Sequence, residues 1–193
     1  MKTQIATIQK HLGVKADGII GPITLEALYQ ELGITPRPIW PTQSDVRSGK
    51  SLYGSAGDET KLVSISPAYP LFYEGKSISS IRVHRGIALH VQQVLREVLE
   101  YYGRDEIERL GLDQYGGSYA YRSTTNGSKL SMHAWGIALD WAPASNGYST
   151  KAPRASLSHP DCTKWWEIWE AHGAISLGRE CDYDWMHVQF ATL

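Results

Sequence analysis

Cysteine is scarce in this chain: there are two, Cys162 and Cys181, 19 residues apart and in no Cys-x-x-Cys pair. That excludes the closed, cysteine-rich kind of structural zinc site. An excess of one charge is also missing. Nineteen Lys and Arg stand against 20 Asp and Glu, for a net charge of −1, so the sequence carries no electrostatic footprint for nucleic acid and no basic run for an anionic membrane surface. No apolar run approaches the ~18 residues that a bilayer span requires. The N-terminus holds lysines, glutamines and a histidine where a signal peptide needs an uninterrupted apolar core. Synthesis in the cytoplasm without a signal peptide is expected, and with it free thiols rather than a disulfide. There is no Gly-x-Ser-x-Gly elbow, no phosphate-cradling Gly-x-x-x-x-Gly-Lys-Ser/Thr, no Gly-x-Gly-x-x-Gly and no His-Glu-x-x-His.

What is present is a concentrated stretch, Ser131-Met132-His133-Ala134-Trp135-Gly136-Ile137-Ala138-Leu139-Asp140, answered near the C-terminus by Asp184-Trp185-Met186-His187. His133, Asp140 and His187 offer two imidazoles and one carboxylate, a donor set that suits zinc with a fourth position open for water. His133 and Asp140 cannot share a straight helix, because residues seven apart are separated by about 10.5 Å along the axis whereas zinc ligands sit about 2 Å from the metal. A bend at Gly136 and a short buried strand through Ile137, Ala138 and Leu139 would deliver Asp140. His187 is expected to open the last strand, with Gln189 on its face and Val188 and Phe190 on the other. Asp184 could itself coordinate, but a fourth protein ligand would close the position that water needs. His84, His90 and His159 have no partner ligands at useful spacing and are read as structural or surface residues.

Ser-x-His-x-x-Gly-x-Ala-x-Asp followed by Asp/Glu-x-x-His resembles the signature of the zinc peptidases that cut bacterial cell-wall peptides. These include vancomycin-resistance-type D,D-carboxypeptidases and dipeptidases, and phage L-alanyl-D-glutamate endopeptidases. Ser131, His133, Gly136, Ala138, Asp140, Asp184 and His187 carry the match, which covers roughly residues 65 to 193. It implies a zinc-dependent hydrolase with His133, Asp140 and His187 as metal ligands, Asp184 as the base and Ser131 hydrogen-bonded to the substrate or to the loop. An arginine shortly before the Ser-x-His segment steadies the substrate carbonyl and oxyanion in that family, and Arg122 occupies that place. The fold implied is α+β, a small antiparallel sheet with flanking helices, akin to the Hedgehog and D,D-peptidase arrangement.

Upstream, Ile5, Ile8 and Leu12, then Leu25, Leu28 and Leu32, recur at helical spacing about a turn, with Pro22 suited to a first helical turn and Gly33 to a C-terminal cap. The turn, Asp17-Gly18-Ile19-Ile20-Gly21-Pro22-Ile23-Thr24, resembles the core of small helical peptidoglycan-binding domains, which would make Asp17, Gly18, Gly21 and Thr24 candidate wall-binding residues. The expected organisation is an all-α module over residues 1–34, a Pro-rich then Gly/Ser-rich linker over 35–64, and a catalytic domain over 65–193. Trp40 and Tyr53 signal that part of the linker docks on that domain. Ser79 to Tyr102 reads as one long core helix ended by Gly103. Residues 111–130 read as a strand running into a loop with an Asn126-Gly127 turn, and 141–160 as an irregular insertion. A helix capped by Asp161 carries Trp165, Trp166 and Trp169 on one face, either a core stripe or a sugar platform, with the core favoured.

Together these features lead to the expectation of a monomeric peptidoglycan peptidase with a wall-targeting module. The partner is peptidoglycan, with no nucleic acid and no membrane insertion. Aspartate in Asp-x-x-His leans toward the L-alanyl-D-glutamate endopeptidases. A peptidase without an export signal suggests a bacteriolytic phage endolysin that reaches the wall through a membrane lesion made by another protein. A D,D-carboxypeptidase is the runner-up, and an inactive zinc-bearing wall-binding protein the rival from another class.

Overall fold

The computed structural model describes residues 1–33, 38–125 and 127–193, so the Asn126 half of the expected Asn-Gly turn and Pro36 of the connector lie outside the described residues. The chain divides into two compact units, Met1–Pro38 and Ile39–Leu193. Among the described residues no helix is long and apolar enough to cross a membrane.

The first unit holds helices α1 (Lys2–His11) and α2 (Pro22–Leu32). Its buried centre is polar. The Gln9 amide, 1% exposed, donates to Asp17 Oδ1 at 3.0 Å, the Ile19 carbonyl at 2.8 Å and Thr24 Oγ1 at 3.0 Å, and its oxygen accepts from Gly18 N at 2.8 Å. Gly18 has φ +73°, and a Cβ there would meet the Lys2 carbonyl oxygen at 2.8 Å, so the position requires glycine. Ile8 and Leu32, expected on the buried face, are exposed along with Ile19, Ile20 and Ile23. Ile5, Leu12 and Leu28 of the expected apolar face are half-buried, and the hydrogen-bonded Gln9 is buried with Thr24. The side chain of Leu25 lies outside the described residues.

The second unit is mixed α and β with small antiparallel sheets. Helix α3 (Gln43–Arg47) is capped by Thr42, whose hydroxyl accepts from Asp45 N. Strand β1 (Leu62–Ile65) pairs with β4 (Ile81–His84), and β2 (Leu71–Tyr73) forms a hairpin with β3 (Lys76–Ile78). Helix α4 (Ala88–Leu110) buries Val91, Val94, Leu95 and Val98. The expected start at Ser79 is displaced: Ile81 and Val83 are buried and Arg82 exposed, a period-2 pattern satisfied by pairing with β1. At the other end Gly103 (φ 68°, ψ 170°) leaves the helical region where the first helical stretch was expected to end; a second stretch continues to Leu110, and Gly111 in the left-handed region caps it.

The sheet that carries the site has the order β5-β6-β8-β7, built from β5 (Tyr115–Gly117), β6 (Ala138–Trp141), β7 (Ile175–Ser176) and β8 (His187–Gln189), every pair antiparallel. Helix α5 (Thr163–Ala171) packs on it, and α6 (Leu177–Cys181) follows β7. The cap expected of Asp161 is displaced: His159 caps the preceding turn and α5 starts at Thr163 after Cys162. Trp165, Trp166 and Trp169 are buried with Trp141 and Phe190, with Trp141 and Trp165 edge to face at 5.2 Å. The tryptophan stripe is core, not a platform.

Residues 39–64, read from composition as linker, belong to this second unit. Trp40 Nε1 donates to the His172 carbonyl at 3.0 Å, Tyr53 Oη to the Phe190 carbonyl at 2.8 Å, and Trp135 Nε1 to the Gly54 carbonyl at 2.9 Å. Gln43 N and Thr192 N bond to the Thr192 and Pro41 carbonyls. The segment holds α3 and the start of β1, bonds much of its backbone locally, and docks through these contacts to the far end of the chain.

Candidate metal centre

Three local devices bring the ligands together. Ser131 caps a 3-10 turn over Met132–Trp135, its Oγ accepting from His133 N. Gly136 (φ 67°) then reverses the chain. A Cβ there would come 2.5 Å from Leu62 Cδ2, and its carbonyl accepts from His84 N at 2.8 Å. The chain enters β6, in which Asp140 stands directly opposite His187 of β8, so a cross-strand pair sets carboxylate and imidazole side by side. Gly116 of β5 lies against Asp140, where a Cβ would meet Asp140 Cβ at 3.0 Å. The expected bend and short strand are as read.

His133, Asp140 and His187 are buried, at 3%, 7% and 6% exposure. His133 Nε2 lies 3.2 Å from Asp140 Oδ1 and 3.1 Å from His187 Nδ1, and His187 Nδ1 lies 3.1 Å from Asp140 Oδ1. The outer nitrogens assign the tautomers. His133 Nδ1 faces the Ser118 carbonyl at 3.0 Å, an acceptor only, so it carries the proton. His187 Nε2 faces Gln189 Oε1 at 3.1 Å. The Gln189 amide is oriented by its donation to the Ala191 carbonyl at 2.7 Å and by acceptance from Gln43 Nε2 at 3.2 Å. In the neutral tautomers so assigned, the imidazoles turn lone pairs toward each other and toward a carboxylate oxygen.

Three acceptors at mutual contact are repulsive unless a cation lies among them. Burial works against the charge of Asp140, yet hydrogen bonds from inward-turned imidazole N–H groups hold its carboxyl well below the usual carboxylate range; burial likewise opposes charge on His187, and Asp140 pulls it up, so that without a metal a proton takes the place of the cation. A proton can lie along one edge of the triangle and satisfy two donors, whereas a metal ion satisfies all three. Tetrahedral bonds of 2.0–2.1 Å imply donor–donor edges of about 3.3 Å, close to the edges observed. The buried triad can hold a metal ion.

A cleft of about 110 Å³ opens beside the triad, with Asp184, His187, Ser131 and Arg122 among its lining residues. Asp184 adopts φ +51°, its N bonded to the Tyr148 carbonyl at 2.9 Å and its carbonyl accepting from His187 N at 2.9 Å. This turn places its carboxylate at the cleft and outside the ligand triangle. Asp184 Oδ1 is buried with no hydrogen-bond partner among the described residues, and burial raises its carboxyl above the ordinary range, the direction that suits a general base. Arg122 is exposed on the cleft, touching only the Ser123 carbonyl, at 3.4 Å, among the described residues. The Ser131 hydroxyl accepts from His133 N at 3.4 Å in the turn and also lines the cleft.

The structure leaves the other histidines outside the triad. His159 is exposed and bonds Asp161 N at 3.2 Å. His84 Nε2 faces the Tyr53 carbonyl, and His90 faces His172. Cys162 and Cys181 are free. Of the four candidate wall-binding positions, Asp17, Gly18 and Thr24 are engaged around Gln9; Gly21 has open space at its Cβ position. Sequence reasoning missed Gln43, Arg47, Tyr148 and Tyr183, which also line the cleft, and Ser118. Only Gln189 was signalled, as the residue two on from His187 along one strand face. Comparison of the chain with protein-family models, with curated proteins and with solved structures returns no match.

Proposed function

We propose that the chain is a zinc-dependent peptidoglycan peptidase, an L-alanyl-D-glutamate endopeptidase acting as a phage endolysin, with a D,D-peptidase-like second unit. One observation carries the reading: three potential metal-ligating atoms converge beside a buried carboxylate oxygen that has no partner of its own among the described residues. A purely structural triad would have no use for the second feature, since an unpartnered buried carboxylate oxygen costs free energy. Two imidazoles and one carboxylate suit zinc, and a three-ligand set leaves a position for reaction. Zinc, when bound by His133, Asp140 and His187, supplies Lewis-acid activation of water and of the scissile carbonyl.

The chain's own groups supply the rest. Asp184 takes the proton of the attacking water and returns it to the leaving amine. Arg122 offsets negative charge developing on the carbonyl oxygen. Ser131 holds His133 in place through the turn. In the first unit, Asp17, Gly18 and Thr24 shape the hairpin, and Ile19, Ile20 and Ile23, exposed on the same turn, form the surface offered to the wall.

The deciding experiment is digestion of purified peptidoglycan by the zinc-loaded protein, with the new termini identified by mass spectrometry. New L-alanine C-termini support the endopeptidase, release of single D-alanine would replace it by a carboxypeptidase, and no product from zinc-loaded protein would overturn the enzymatic reading.

A further inference from the structure

Arg47 belongs to the segment that composition marks as linker, yet its side chain reaches the cleft that Asp184, Arg122 and His187 line. It is half-buried, and burial alone pushes its guanidinium pKa down. Nε donates to the Leu130 carbonyl at 2.9 Å, which fixes the guanidinium plane beside the residue that precedes Ser131. The Nη edge is left over. No carboxylate pairs with it among the described residues, whereas Arg82, Arg104 and Arg179 each have one and Arg109 has two. A guanidinium that is partly desolvated, held rigid and unpaired in a cleft is arranged to meet a carboxylate from outside, end-on through two parallel N–H groups. Arg122 differs, being exposed and bound only to its neighbour's carbonyl.

We infer that Arg47 anchors a carboxylate of the substrate, on the residue that leaves with the amine, while Arg122 serves the carbonyl. The inference rests on the peptidase reading of this cleft and deepens it. In an L-alanyl-γ-D-glutamyl stem peptide the D-glutamate keeps a free α-carboxylate next to the scissile bond, and in amidated walls that group is a neutral carboxamide. Arg47 makes the protein selective for the unamidated form. The Arg47–Leu130 bond also ties α3 to the loop before Ser131, so the test must separate recognition from support.

Two soluble stem peptides, identical except for carboxylate or carboxamide at that position, are compared by turnover with zinc-loaded protein. Their binding to full-length Asp184→Asn protein is measured by calorimetry. A charge-assisted bidentate contact predicts a preference for the carboxylate of roughly ten- to a hundredfold. Arg47→Ala should reduce it to less than about twofold by raising KM for the carboxylate peptide alone, with zinc content unchanged. Arg47→Lys, which keeps charge and stem, should retain part of it, and Arg122→Ala should lower kcat with the preference intact. A preference that survives Arg47→Ala, or wild-type binding that ignores the carboxylate, overturns the inference. If neither peptide is cut the peptidase reading fails, and the binding preference still decides whether Arg47 recognises a carboxylate.

Discussion

Gln189→Leu isolates the contribution of the residues behind the ligands. Gln189 is 1% exposed and joins three hydrogen bonds, from His187 Nε2, from Gln43 Nε2 and to the Ala191 carbonyl. Leucine preserves the volume and removes the acceptor. His187 then has no reason to keep its proton on Nε2, and the tautomer with the proton on Nδ1 can donate to Asp140, 3.1 Å away, which blocks the metal edge. Loss of such an outer partner typically costs about 10- to 100-fold in metal affinity, or roughly 1.4 to 2.7 kcal/mol. Three hydrogen bonds at about 0.5–1.5 kcal/mol each put the loss of folding stability at roughly 1.5 to 4.5 kcal/mol. Gln189→Glu separates the two effects: a carboxylate still accepts from His187, so zinc affinity holds, while the Ala191 carbonyl loses its donor and stability still falls. Zinc affinity is read by competition with a chromophoric chelator, and stability by urea unfolding of the metal-free protein. Unchanged affinity in a folded Gln189→Leu protein would refute the tautomer argument from which the metal site is read.

Three further outcomes are expected. Asp184→Asn should keep zinc and fold but lower turnover about 10²- to 10⁴-fold, as general-base loss does; elemental analysis beside peptidoglycan turnover checks it, and loss of zinc would make Asp184 a ligand. Gly178→Ala should destabilise by roughly 1 to 3 kcal/mol through overpacking, since its Cβ would fall 2.4 Å from the Trp185 ring; an unchanged unfolding midpoint would count against that packing. The Ala152 N–H, then the Trp185 indole, hold the half-buried Asp182 carboxyl below its ordinary range. Its stabilisation is thus present above the unfolded-state pKa and lost as pH falls through the folded one, so Asp182→Asn should flatten the acid limb of the stability–pH curve, and an unaltered limb would exclude this contribution.

The ligand triangle was legible because its residue types are few and its bend and strand are local: Gly136 and the Ile137–Leu139 run say how Asp140 is delivered before any partner is known. What failed depended on distant partners. Ile81 and Val83 fit a helix with Ile87 and Val91 until β1 supplies the mate that makes them a strand. The Gly- and Ser-rich stretch after Pro41 looks flexible by composition, but its order comes from Phe190, His172 and Thr192 at the far end of the chain. Arg47 carried no signal, since nothing near it in sequence marks a cleft that Asp184 and Arg122 help to build.

The seating of residues 39–64 bears on how modules of this kind can be recombined. A chimera joined near residue 65, where composition suggests the catalytic part begins, would discard the Gln43 donor to Gln189, the Arg47 tie to Leu130 and the Trp40 and Tyr53 anchors. The graft would keep every ligand and lose part of what aims them. A junction at Pro38, where the compact units divide, carries the whole buttress with the site.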